Sequence, residues 1–320
     1  MPFIYRRMNF SAMKLKSLPL LILLALCWGP SFLLIKLALI QLDPVLLSVF
    51  RIGIGALVLN LILLMRKDFL PKDLSFWKAS AVAAFFSVAL PFMLINWGQQ
   101  FIDSSLGALL NGTTPFFTVI FSFLLLHGEL ISTNKVKGIS LGFIGLVVLV
   151  YPNLVQGVTA SLTGIVAIVL ASASYGVGWV WVKKYLTGIP SFKAPAAQLL
   201  IATTYLLPFV LFSDTEVKAS AWNLVTIGSV VSLGVLGTAI AFILYFRLIA
   251  QAGPSYASMV TYLVPVIGVV LGVVILQESL TPWMLAGAGL ILFGIYLGNK
   301  PKREAPKENC VDLRVLSKVR

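Results

Sequence analysis

Apolar residues run along this chain in long blocks separated by short polar stretches. Ten blocks are read, near 18–38, 45–65, 79–101, 105–127, 138–152, 162–182, 195–212, 223–246, 255–276 and 282–299. A helix needs about 20 apolar residues to cross a bilayer. The pattern therefore predicts an all-α membrane protein with ten transmembrane helices. The block at 138–152 is the shortest. Only Ile102-Asp103-Ser104 parts the third from the fourth, and the breaker cluster Gln251-Ala252-Gly253-Pro254 parts the eighth from the ninth.

The blocks also repeat. Pro115 in NGTTPFF answers Pro265 in YLVPVIG, each followed by a glutamate, Glu129 or Glu278. From there Gly138 and Gly145 answer Gly287 and Gly294, although the proline-to-glutamate spacing is one residue longer in the first unit. Trp28-Gly29 answers Tyr175-Gly176, and Lys36 answers Lys183, at offsets of 147 to 150 throughout. Each unit then holds five spans, and an odd number of crossings turns the second unit upside down. The expected fold is two inverted five-helix repeats, at 18–152 and 162–299. A tail at 1–17, an outer linker at 153–161 and a basic tail at 300–320 complete the chain.

Composition agrees with lipid as part of the solvent. The chain is 59% hydrophobic and 11% charged, with mean hydropathy +0.99. Soluble domains carry about 25% charged residues. The net charge of +13 does not imply nucleic acid, because it sits in short loops and tails. With the N-terminus in the cytoplasm, 21 of the 24 Lys and Arg residues fall inside and only Lys218 falls in an outer loop. That asymmetry follows the positive-inside rule and places both termini in the cytoplasm. The basic N-terminal stretch before Leu18 resembles a signal peptide, but Trp28-Gly29-Pro30 is no cleavage site and the apolar run continues, so the first span is expected to be retained. Cys27 and Cys310 have no disulfide or metal spacing.

Polar groups at membrane depth are costly and default to facing a cavity or one another. Trp28, Phe32 and Lys36 recur every four residues, as do Tyr175, Trp179 and Lys183. Aromatics backed by a lysine suit a planar or anionic metabolite; the alternative is packing aromatics and snorkelling lysines. Asn96, Gln100 and Asp103 are expected on one face of the third span, and Asn111, Thr114, Thr118 and Ser122 on one face of the fourth. Pro115 and Pro265 are expected to kink their helices. Tyr245, Ser258, Thr261 and Tyr262 are the counterparts in a greasier second unit. Arg51 could hold a carboxylate or phosphate, pair with Asp43 or Asp103, or bind backbone carbonyls. His127, Glu129 and Glu278 read as helix-end residues, and the glycines at 138, 142, 145, 287, 289 and 294 as close-packing surfaces.

CWGPSFLLIKLAL at 27–39, FRIGIGAL at 50–57, the run NWGQQFIDSSLGALLNGTTPFFTVIFSFLLLHGE at 96–129 and YASMVTYLVPVIGVVLGVVILQESLTP at 256–282 together resemble the drug/metabolite transporter superfamily, specifically EamA-type permeases. The resemblance covers about residues 18–299. It implies transport of small metabolites across a bacterial inner membrane, commonly export, with alternating access between the two units. It implies no cofactor, and it leaves a homodimer open. The expected partners are a small-molecule substrate and membrane lipid. Candidate substrate-binding residues are Trp28, Lys36, Arg51, Asn96, Gln100, Asn111, Thr114, Tyr175, Trp179, Tyr245, Thr261 and Tyr262. No carboxylate sits at the centre of a span, and no phosphate-binding loop or H-E-x-x-H motif occurs, so neither ATP drive nor an intramembrane enzyme is expected. A non-transporting receptor or assembly subunit is the alternative reading.

Overall fold

The structure is a computed structural model and describes residues 10–125, 133–156, 159–190, 192–211, 223–252 and 260–298. His127, Glu129, Lys218, Ser258 and Cys310 lie outside them. Among the described residues all regular structure is helical. The first expected span is two helices, α1 (Phe10–Trp28) and α2 (Ser31–Ala38), and the second is α3 (Pro44–Met65). The third comprises α4 (Leu74–Ala84) and α5 (Leu90–Gly98), and the fourth α6 (Ser104–Asn111) and α7 (Thr114–Leu125). They are followed by α8 (Thr133–Gln156), α9 (Thr159–Tyr185), α10 (Lys193–Leu211), α11 (Leu224–Gly234), α12 (Ala241–Ala252), α13 (Val260–Leu276) and α14 (Pro282–Gly298).

Among the described residues, six stretches are long and apolar enough to cross a membrane: Ser17–Ala38, Pro44–Met65, Leu74–Gly98, Ser104–Leu125, Ser161–Tyr185 and Leu224–Leu248. Ser140–Leu149, Leu263–Leu276 and Pro282–Gly294 are shorter apolar helices. The fifth block was expected to be the shortest span, and its apolar stretch Ser140–Leu149 is the shortest of these, although the helix that holds it, α8, runs for 24 residues. Polar residues such as Asn134 do not stop a helix, so the turns continue beyond the apolar stretch.

Helix starts are chemically marked. Asp43 accepts from Val45 N at 2.8 Å with Pro44 in the first turn of α3, Asp73 accepts from Phe76 N, and Asn223 accepts from Thr226 N. α3 stops where Lys67 adopts φ 53°, with Asp68 N–H donating to Leu63 O and Lys67 N–H to Leu64 O.

Among the described residues two π-helical turns interrupt the apolar helices, at Phe85–Ala89 between α4 and α5 and at Val235–Ile240 between α11 and α12. The first has a covalent cause. Pro91 has no N–H for the Ser87 carbonyl, and Leu90 N–H reaches back to Phe85 O. The second contains no proline. There Thr238 Oγ1 donates to Leu233 O at 2.8 Å.

The core is assembled by helix pairs: α3 on α10, α8 on α14, α7 and α5 on α9, and α13 across α1 and α6. Glycine allows the closest crossings. A Cβ on Gly145 would lie 2.7 Å from Ile291 N, and one on Gly294 would lie 2.7 Å from Gly138 O. Gly289, expected to be part of the same surface, faces open space instead.

At the end of the bundle where α2 finishes, two charged side chains secure the reversal between α5 and α6. Lys36 Nζ donates to Gln99 O at 2.9 Å and Ile102 O at 2.6 Å. Glu278, in the loop between α13 and α14, accepts from Ser104 N at 2.7 Å and Ser105 N at 2.8 Å, so it caps α6 from across the chain. A cation beside spent carbonyls and an anion at helix N–H groups both match the helix dipole. Glu278 thus links helix ends, as its position in the sequence suggests.

Burial pushes the Glu278 carboxyl up, but hydrogen bonds from Ser105 and Ser104 outweigh it and hold the group below the ordinary glutamate range. A lowered folded value means the contact stabilises fully above that range and is lost as pH falls through the lowered value. The heat-unfolding midpoint of the wild type is expected to fall more steeply than that of Glu278→Gln on acidification from about pH 6 to about pH 3. Parallel pH profiles would refute the assignment.

Candidate functional site

The helix breaks face one cavity. At Gly29–Pro30 the chain turns between α1 and α2, and a Cβ on Gly29 would strike Ile267 of α13. At Gly112–Thr113 it turns between α6 and α7, and a Cβ on Gly112 would lie 3.1 Å from Pro265 Cγ. This second turn comes three residues before Pro115, as the proline predicts. Pro115 cannot donate to Asn111 O, and Thr114 Oγ1 donates to it instead at 2.7 Å. The repair ties Thr114 to the break. Pro265 lies within the continuous helix α13 and rests on that same turn.

The cavity has ≈ 820 Å³ of empty volume counted out to its mouth. Trp28, Ser31, Phe32, Arg51, Ser87, Phe92, Asn111 and Thr114 line it from the first half of the chain. Tyr175, Trp179, Gln198, Phe242, Tyr245, Phe246 and Val264 line it from the second. Aromatic rings form much of its wall. Ring centroids lie 5.7 Å apart for Trp28 and Tyr245, 5.1 Å for Tyr245 and Trp179, and 6.4 Å for both Trp179–Tyr175 and Tyr175–Phe92. The series ends on a cation, with Arg51 Cζ 4.0 Å from the Phe92 centroid.

Arg51 is 4% exposed, eight residues beyond Asp43 and so about 12 Å along α3. Its Nε donates to Thr238 Oγ1 at 3.1 Å and its Nη2 to Gly237 O at 3.4 Å. The second π turn supplies both acceptors. Of the three roles open from the sequence, the structure shows carbonyl binding. Asp43 caps α3 instead, and no carboxylate is among the cavity's described lining. Several polar atoms of lining residues are buried without a partner: Asn111 Oδ1, Ser87 Oγ, and both Oε1 and Nε2 of Gln198. Each such atom costs about 1–3 kcal/mol until something bonds to it.

Seven candidate residues meet here: Trp28, Arg51, Asn111, Thr114, Tyr175, Trp179 and Tyr245. Others sit elsewhere. Trp28 and Phe32 both line the cavity although Gly29–Pro30 parts them, whereas Lys36, one turn further along α2, reaches the α5–α6 turn instead. Asn96 is buried and donates to Ser48 Oγ at 2.8 Å, joining α5 to α3. Gln100 is exposed and bonds to Trp97 O. Helix α5 ends at Gly98, so four-residue spacing no longer sets direction beyond it. Gln99 turns inward instead and donates to Phe32 O at 3.1 Å. The side chains of Thr261 and Tyr262 lie outside the described residues.

Sequence reasoning missed Gln198, Ser87 and the phenylalanines 92, 242 and 246. One signal could have found Gln198. It is 147 residues after Arg51, the same offset that relates Trp28 to Tyr175, and it is a lone amide in an apolar stretch of α10.

The sequence pattern of the EamA-like transporter family matches residues 15–151 and again 162–299. The uncharacterized transporter YoaV of Bacillus subtilis strain 168 is 27% identical over 278 residues, spanning 87% of this chain and 94% of that one. A probable amino-acid metabolite efflux pump of Escherichia coli K12 is 25% identical over 291 residues, spanning 87% and 93%. A solved crystal structure, 20% identical, superposes with a TM-score of 0.62 over 92% of this chain and 98% of its own, a likeness of fold alone. The double match covers nearly all the apolar helices described above, and on it this integral membrane protein belongs to the EamA-like transporter family of the drug/metabolite transporter superfamily.

Proposed function

We propose that the chain is a secondary transporter that moves a small metabolite, such as an amino acid or an amphipathic drug-like compound, out of a bacterial cell. Its ten spans form two inverted five-helix repeats, 18–152 and 162–299, with both termini in the cytoplasm. Substrate binds between the repeats, which rock about it to expose it to either side in turn.

The observation that carries this reading is how the cavity is built. Trp28 and Tyr175, Phe32 and Trp179, and Arg51 and Gln198 are lining pairs 147 residues apart. Phe92 and Phe242, and Thr114 and Val264, are lining pairs 150 residues apart. Equivalent positions of both halves thus face one space, as an alternating-access site between repeats requires. The basic loops favour cytoplasmic termini, and the efflux pump among the relatives favours export of an amino-acid-related compound.

Proteoliposomes holding the purified protein test the reading. Loaded with a mixture of amino acids and aromatic metabolites, they should lose a subset faster than protein-free vesicles. Repeating the measurement across a pH gradient tests proton coupling, and indifference to the gradient would remove it. Identical losses with and without protein would sink the proposal.

A further inference from the structure

We propose that the cavity selects a small organic monoanion, a carboxylate on a flat apolar body. This rests on the transport reading above and narrows its substrate class to anions, setting free zwitterionic amino acids aside.

Arg51 is a buried guanidinium whose partners are all neutral: a threonine hydroxyl, a carbonyl and a phenyl face. An arginine stays protonated in proteins. A charge at membrane depth without an opposite charge is costly, and it is retained where function needs it. The described lining contains no aspartate or glutamate to offset it. A bound monoanion turns the site from one net charge to none. A zwitterion leaves the net charge where it was and brings an ammonium with no carboxylate to meet it. A cation doubles the charge. The ordering of these three classes follows from charge alone.

The remaining surface defines the rest of the molecule. Gln198, at the position equivalent to Arg51 in the other half, holds an unpartnered Nε2–H donor for a second carboxylate oxygen. Trp28, Tyr245 and Trp179 form a contiguous aromatic wall on which a planar group can stack. Asn111 Oδ1 is an unpartnered acceptor that suits an amide or hydroxyl proton on the substrate. The chemistry matches an aromatic amino acid that has lost its amino group or carries an acyl cap on it.

Four probes built on one phenylethyl unit separate the classes: 3-phenylpropionate, 3-phenylpropionamide, phenylalanine and phenethylamine. Binding is read from quenching of tryptophan fluorescence and from the heat-unfolding midpoint of the purified protein. We expect phenylpropionate to bind on the order of tenfold or more tighter than the amide or phenylalanine. Phenethylamine should bind weakest. Arg51→Gln should erase the preference for acid over amide, and Arg51→Lys should keep part of it. If Arg51→Gln fails to fold, the wild-type ranking decides alone. Equal binding of acid and amide, tighter binding of phenylalanine or the amine, or no binding of any probe overturns the inference. Vesicle transport keeps the two readings apart. Phenylpropionate that binds without moving defeats the transporter reading and spares the site. Movement of phenethylamine alone defeats the anion assignment and spares the transporter.

Discussion

Gly287→Ala should lower the heat-unfolding midpoint sharply, while Gly289→Ala, two residues along the same helix, should not. A Cβ at 287 would lie 2.5 Å from Leu149 Cβ, 2.6 Å from Leu149 N and 2.7 Å from Gly145 O. Two of these obstacles are backbone of α8 and cannot turn aside as a flexible side chain would. Either the α8–α14 pair separates or the helices bend, at an expected cost of about 2–3 kcal/mol. At 289 nothing lies within 4 Å of the added carbon. There alanine meets open space, and its better helix propensity makes the change neutral or stabilising by up to about 1 kcal/mol. The two variants have the same composition and differ only in place. Thermal unfolding in one detergent compares them directly, and equal midpoints would show that α8 and α14 do not meet at these glycines.

Gln198→Met should raise stability or leave it unchanged while transport falls. The amide is fully buried, and neither of its polar atoms has a partner. Replacing an unsatisfied buried amide by an apolar side chain of similar volume relieves about 1–3 kcal/mol of desolvation. If substrate is the missing partner, the same change removes its hydrogen bonds, and transport should drop on the order of tenfold. Trp28→Ala and Asn111→Ala should likewise slow transport, Trp28→Ala on the order of tenfold or more because truncated aromatic anchors commonly cost about 2 kcal/mol. Both should still insert into membranes. Vesicle transport assays alongside thermal unfolding separate the effects. A Gln198→Met protein that is less stable yet transports at the wild-type rate would make Gln198 a packing residue.

Much of the site was legible in the residue pattern because the chain carries its own comparison. The offset that pairs Trp28 with Tyr175 leads to two of the wall's aromatic positions, and Pro115 announces the break at Gly112–Thr113. Reading fails where direction depends on something outside the helix. Lys36 shares helical spacing with Trp28 and Phe32, but its long side chain finds carbonyls at the α5–α6 turn. Gln100 and Gln99 exchange places because α5 has already ended. The phenylalanines 92, 242 and 246 look like any apolar residue in a span, and only packing separates a wall that faces a cavity from one that faces a neighbour.

What the amino-acid order alone decided is helical content, six apolar stretches long enough to span among the described residues, and a duplicated plan. Those depend on local chemistry: lipid leaves backbone groups no partner but their own helix, and hydropathy is a property of residues in a row. Tertiary structure decided that Arg51 binds a π turn drawn from 186 and 187 positions away. It also decided that Glu278 caps a helix 174 positions earlier and that Gln198 faces the cavity. Such contacts depend on how helices rotate and cross. Side-chain volumes and close backbone approaches across the whole bundle set that geometry, and no window of the chain contains it.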